Sequence, residues 1–173
     1  MILLVLAGCP KPIPVDEAPP PLDAPEAAPA VPEAGALVEG TYTDEDLPFT
    51  LPVPEGWEAR IGAREDGLRV SLSDPETGTE VEVWTFKGGG TEPRRRGECA
   101  WTFSDSGRYR APRVAADITV ATCTPDDPDR PRVLAWILVH DDITYEIDAI
   151  IPEGALGAGR AKAEGVVGSV RFR

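Results

Sequence analysis

The sequence predicts an α+β domain, a twisted antiparallel β-sheet of about six strands with a C-terminal helix packed on one face, preceded by a disordered proline-rich tether. Three observations point to it. Short runs rich in Trp, Val, Ile and Thr recur between clusters of Gly, Pro and Asp, the pattern of strands joined by turns. Two successive pairs of these runs alternate apolar and polar residues across a short polar turn, as hairpins do. The last apolar residues change to helical spacing. By composition the 173 residues divide into 1–8, 9–36 and 37–173, and the third stretch is long enough to bury a core of its own.

Residues Met1 to Leu6 are apolar and run into Leu6-Ala7-Gly8-Cys9, which resembles the four-residue lipobox of bacterial lipoproteins. The stretch is too short to span a bilayer and reads as the hydrophobic and cleavage regions of a signal peptide. It lacks a positively charged leading region, so the true start is expected upstream of Met1. What the resemblance implies is cleavage ahead of Cys9 and acylation of its thiol and amine, several chains anchoring stably where one does not. The residue after the cysteine is Pro10, where an aspartate would favour retention at the inner membrane. The expected location is therefore the cell envelope, lipid-anchored at the outer membrane and facing the periplasm.

From Pro10 to Ala36 the chain is mostly Pro and Ala with scattered Asp and Glu and no aromatic residue. Such a segment cannot bury enough apolar surface to offset its ordering entropy. As a proline-rich spacer it extends about 3 Å per residue, enough to hold a domain well away from a membrane.

Within 37–173, Phe49 to Pro54 reads as an opening strand whose prolines keep it to an edge or to the strand ends, and Glu55-Gly56-Trp57 turns the chain. Leu68–Ser73 and Glu80–Phe86 form a hairpin around Asp74-Pro75-Glu76-Thr77-Gly78. Val81 and Val83 share one face of its second strand, with Trp84, Phe86, Glu80 and Glu82 on the other. A glycine-rich loop, 88–97, carries Arg94-Arg95-Arg96 and reads as solvated. Two further strands are expected over Cys99–Phe103 and Ile118–Cys123. Val133 to Val139 is continuously apolar, as in a strand buried on both faces at the middle of the core. His140-Asp141-Asp142 turns into Ile143–Ile151, with Ile143, Tyr145, Ile147, Ala149 and Ile151 inward and Thr144, Glu146 and Asp148 outward. Leu156, Arg160, Ala163, Val167 and Val170 then mark one amphipathic helix over Glu153–Ser169, despite internal glycines that cost about 1 kcal/mol each.

With Cys9 acylated, two cysteines remain, and an oxidising compartment favours a Cys99–Cys123 disulfide worth about 3 kcal/mol. No catalytic constellation is expected. His140 has carboxylate neighbours but no nucleophile placed by a motif, and a hairpin turn collects polar residues in any case. Asp126, Asp127 and Asp129 lack the spacing of a calcium loop and are interrupted by Pro128. No metal or other cofactor is called for. The candidate binding surface is Trp57, in a turn, with Arg94, Arg95 and Arg96. A formal net charge of −13 makes nucleic acid a poor partner and favours a basic one.

The series Phe49-Thr50-Leu51-Pro52-Val53-Pro54-Glu55-Gly56-Trp57, then Val70-Ser71-Leu72-Ser73-Asp74-Pro75 with Glu80-Val81-Glu82-Val83, and finally Tyr145-Glu146-Ile147 with Gly165-Val166-Val167-Gly168-Ser169-Val170-Arg171-Phe172, resembles the PsbP-like fold family, which includes DcrB-type lipoproteins. The resemblance implies an antiparallel sheet packed by helices and used for binding and assembly, not for catalysis. No functional residue carries over from it. Joined to the anchor, it implies an envelope binding or assembly module with a protein partner. The competing expectations are a carrier of a small apolar ligand between sheet and helix, an enzyme with a cleft at His140 or the tryptophans, and a plain spacer.

Overall fold

The computed structural model describes residues 33–63, 65, 67–88, 90, 92–94, 100–104, 118–125, 127 and 130–173. Cys9, Cys99, Arg95, Arg96, Asp126 and Asp129 lie outside these, as does the proposed tether up to residue 32.

The strands are β1 (Ala36–Val38), β2 (Thr41–Thr43), β3 (Phe49–Pro52), β4 (Glu58–Ile61), β5 (Leu68–Asp74), β6 (Thr79–Lys87), β7 (Ala100–Ser104), β8 (Thr119–Thr124), β9 (Arg132–His140), β10 (Ile143–Ile151) and β11 (Arg171–Phe172). A single-turn 3-10 helix at Glu153–Ala155 leads into α1 (Leu156–Ser169). Among the described residues they form an antiparallel seven-stranded sheet in the order β4-β5-β6-β10-β9-β8-β7, and a four-stranded one in the order β1-β2-β3-β11. The expected α+β architecture is thus present, with one strand more in the main sheet than expected and a second sheet that the sequence reading did not separate. Both predicted hairpins and the C-terminal helix lie where the sequence puts them.

Turn chemistry fixes the hairpins. Asp141 and Asp142 both have positive φ, 50° and 59°, as do Glu39 and Gly40 between β1 and β2. Paired positive φ values give the two-residue turn whose twist matches that of the flanking strands. His140 is therefore the last residue of β9, paired with Ile143, and not part of the turn itself.

The small sheet and α1 cover one face of the main sheet. Phe49, Leu51 and Tyr42 from the small sheet, Val166 and Val167 from α1, and Val70, Leu72, Val81, Val83, Trp136 and Ile147 from the main sheet make one buried cluster. Aromatic rings tie the layers together: Phe49 meets Tyr145 edge-on at 5.7 Å, and Tyr145 meets Phe172 edge-on at 5.0 Å. Burial, followed by the charges of Asp141 and Asp44, pushes the Tyr145 hydroxyl up to about 12. The middle position of the sheet belongs to β10, and the continuously apolar β9 lies beside it. Residues 33–36, expected to be tether, pack with the domain: Glu33 bridges to Ala63, Ala34 donates its N–H to the Gly62 carbonyl at 2.9 Å, and Ala34 is fully buried.

The helix stripe differs from the expected one by one residue. Arg160 is exposed and pairs with Glu164 at 2.8 Å, while Gly159 takes the inward place. A β-carbon at Gly159 would collide with Thr79 Oγ1 and Ile151 Cγ2, so glycine sets how closely α1 approaches β6 and β10. A β-carbon at Gly165 meets nothing within 4 Å. The two glycines should respond oppositely to alanine. Gly165→Ala gains about 1 kcal/mol from helix propensity, whereas Gly159→Ala costs about 1–3 kcal/mol in overpacking, only part of which propensity recovers. Paired urea denaturation curves check the difference in sign.

Lys162 of α1 reaches the β5–β6 turn and bonds Asp74 at 2.7 Å and Glu76 at 2.6 Å, and Thr77 donates its hydroxyl to Asp74 at 2.6 Å. The Lys162 and Thr77 hydrogen bonds hold the Asp74 carboxyl down to about 2, and the bonds of Lys162 to Asp74 and Glu76 raise the Lys162 ammonium. A carboxyl lowered on folding stabilises the fold above its unfolded value and loses that contribution as pH falls toward the folded one. Lys162→Met should therefore weaken the fold at neutral pH, and its deficit against the parent should shrink between about pH 4 and 2. Denaturant titrations across that range test this; a deficit independent of pH would assign the effect to lost packing instead.

Candidate functional site

The second face of the main sheet, away from α1, carries the side chains that alternate with the core. Along β10 these are Thr144, Glu146 and Asp148, expected to face solvent. All three are buried, at 4%, 1% and 0% exposure. The strand alternates as read, but its outer side is covered. Glu146 lies between Trp84 of β6 and Ile137 of β9, and Asp148 between Glu82 and Ala135.

The cover at Thr144 and Glu146 comes from the segment after β6. The backbone N–H of Arg94 donates to both Glu146 carboxylate oxygens, at 2.8 and 2.9 Å. The Thr144 hydroxyl donates to the Gly88 carbonyl and accepts from the Gly90 N–H. The Arg94 guanidinium lies 3.7 Å over the Trp84 ring, with Glu82 at 3.8 Å and Asp148 at 4.0 Å. Trp84 in turn donates its indole N–H to Glu82 at 3.0 Å. A cation stacked on an indole and flanked by carboxylates is well held. Arg94 is thus not the free, solvated residue that the glycine-rich loop implied. A cleft of about 440 Å³ remains at the margin of this contact, lined by Phe86, Lys87, Gly88, Gly90, Glu92, Arg94, Thr144 and Glu146.

Trp57 lies elsewhere. It packs at the edge of the core on the α1 side, in a turn closed by its N–H to the Pro54 carbonyl at 3.1 Å. Together with Pro52, Pro54, Lys162, Gly165, Val166 and Ser169 it lines a second, mostly apolar cleft of about 360 Å³. The structure therefore places Trp57 and Arg94 on opposite faces of the sheet, and they do not form one surface. Of the other tryptophans, Trp136 is core, and Trp101 packs on Ala121, Ala135 and Ile137 of the second face. Trp101 pairs across the strands with the buried Cys123. Cys99 lies outside the described residues, so the Cys99–Cys123 bond remains an expectation.

His140 stands 3.5 Å from Asp141 and packs against Phe172, with ring centroids 5.4 Å apart and the rings tilted by 56°. Among the described residues no group of three His, Cys, Asp or Glu side chains is arranged to hold a metal ion. Residues that the sequence reading missed, Thr144, Glu146 and Asp148, carry the loop-binding chemistry; the signal was the polar face of β10 paired in register with Trp84 and Glu82.

The cyanobacterial PsbP protein CyanoP from Synechocystis sp. PCC 6803, solved in solution, superposes with a TM-score of 0.52 at 12% identity over 77% of this chain and 91% of its own. The fold is PsbP-like. A protein from Bacteroides thetaiotaomicron VPI-5482 aligns with a TM-score of 0.47 at 15% identity, over 73% of this chain and 45% of that one. No protein-family model matches the sequence, and neither does any curated protein. At such identity the PsbP-like likeness concerns architecture alone.

Proposed function

We propose that the chain is an exported, lipid-anchored envelope protein whose PsbP-like domain serves as a binding or assembly module. The observation that carries the anchor is the run Leu6-Ala7-Gly8-Cys9 followed by the Pro/Ala-rich segment. The module reading is supported by where open space lies. The contact of α1 with the sheet at Gly159 is too close for a methyl group, which leaves no room there for a carried ligand, whereas both clefts open at the rim. On this reading the partner is an envelope protein rather than a nucleic acid, and recognition uses surface side chains without a cofactor or catalysis. The acidic surface favours a basic partner.

One experiment addresses anchor and disulfide together. Mass spectrometry of the mature protein purified from membranes should find Cys9 as the first residue carrying acyl mass. A non-reducing peptide map should join Cys99 to Cys123. Cys9→Ser should move the protein from the membrane to the soluble fraction. An unmodified thiol at Cys9, or unchanged fractionation of the variant, would remove the anchor. Crosslinking in intact envelopes followed by purification tests the module reading, and recovery of this chain alone would count against it.

A further inference from the structure

The Trp57 cleft has a chemistry of its own. One wall is Pro52, Pro54 and the half-buried Trp57, and the other is the Lys162, Gly165, Val166 and Ser169 side of α1. Gly165 contributes no side chain and its β-carbon position is open, so the helix leaves a shelf beside the indole. Among the described residues the Trp57 indole N–H donates to no protein atom. An aromatic wall with a spare N–H suits a polyproline II helix, whose ring faces are apolar and whose carbonyls project outward without internal partners.

The rim adds a sign. Lys162 is the basic residue of the lining, and it is held by two carboxylates, Asp74 and Glu76. The Glu76 side chain is 80% exposed, and Glu55, also exposed, adjoins Pro54 in the turn that carries Trp57. Asp74, Glu76 and Glu55 against Lys162 leave the rim net acidic, in a chain of formal charge −13. Charge complementarity therefore selects a basic occupant.

We infer that the cleft between the Pro52–Trp57 turn and α1 is a recognition groove for a proline-rich segment flanked by arginine or lysine, supplied by a partner protein. Proline rings pack against Trp57, Pro54 and the shelf at Gly165, the indole N–H bonds a peptide carbonyl, and Glu55 and Glu76 receive the basic flank. This deepens the binding-module reading and rests on it.

The test uses the full chain, ¹⁵N-labelled, titrated with a synthetic peptide of two arginines followed by an octaproline run. The Trp57 indole cross-peak, identified by its loss in Trp57→Phe, should shift saturably. The same octaproline preceded by two glutamates should bind several-fold more weakly. A peptide of two arginines followed by Gly-Ser repeats should leave the indole unmoved. Gly165→Gln, which fills the shelf without touching the core, should weaken binding by more than about tenfold. Glu55→Gln with Glu76→Gln should abolish the preference for the arginine flank. No indole shift at millimolar peptide, equal shifts with the Gly-Ser peptide, or unchanged binding by Gly165→Gln would each overturn the groove. An envelope partner that still crosslinks to Gly165→Gln would overturn the groove and leave the module reading standing.

Discussion

Asp44→Ala is expected to destabilise the domain by about 3–5 kcal/mol, the cost of leaving one half of a buried ion pair without its partner. The Asp44 side chain is fully enclosed and lies 3.6 Å from the Arg69 guanidinium, itself only 14% exposed. Asp44 also accepts from the Tyr42 hydroxyl at 3.1 Å and from the Asp46 N–H at 2.8 Å. Arg69 comes to face it because a register shift between Leu68 and Val70 turns that residue toward the core, where its Nε donates to Thr85 at 2.6 Å. The pair thus joins the loop after β2 to β5 and β6, bridging the small sheet to the large one. Replacing both partners, as Asp44→Ala with Arg69→Met, should recover a large part of the loss, since it is the stranded guanidinium that is costly. Urea denaturation of the two single variants and the double variant measures the coupling. A single-variant cost below about 1 kcal/mol would mean that water reaches the guanidinium and that the two sheets do not depend on this contact.

Glu146→Ala should cost about 1.5–3 kcal/mol, the usual range for a hydrogen bond to a charged group. Its effect should be local. Both carboxylate oxygens receive the Arg94 N–H, so their loss releases the segment after β6 from the face of β10. Hydrogen exchange should speed up at the Arg94 amide and at Gly90, which bonds the neighbouring Thr144, while the amides of β9 keep their protection. Glu146→Gln retains one oxygen acceptor and should lie between the parent and Glu146→Ala. An Arg94 amide that stays protected in Glu146→Ala would show that the Arg94 guanidinium on Trp84, Glu82 and Asp148, with the Thr144 bonds, holds the segment without Glu146.

These two contacts also mark where the sequence stops being readable. Alternation in Ile143–Ile151 gave the inward residues correctly, because period two needs no knowledge of neighbours. It assigned the other face to solvent, since Thr, Glu and Asp are polar, and nothing local to β10 says that Gly88, Gly90 and Arg94 return over it. The clue was non-local: β6 pairs with β10, so a glycine-rich, arginine-bearing segment leaving the end of β6 emerges beside Thr144 and Glu146. The helix was legible from Leu156, Ala163 and Val167, but a hydropathy stripe cannot register an inward glycine, and Arg160 stood in for Gly159. The hairpin Ala36–Thr43 escaped because its strands have three residues each. Asp44 gave no signal at all, since its burial depends on an arginine brought inward by an irregularity in β5. Trp57, noted for its place in a turn, does line a cleft; grouping it with Arg94 did not survive the sheet that separates the two.

The pairing of β3 with β11 joins residues 49–50 to 171–172. Closing so wide a loop of chain is entropically slow, so the smaller sheet should be the last part to assemble, after the main sheet and α1 have drawn those ends together. A nascent chain that lacks residues 171–172 thus leaves one edge of β3 without its strand partner, and Phe49 without Phe172 beside it, until β11 arrives.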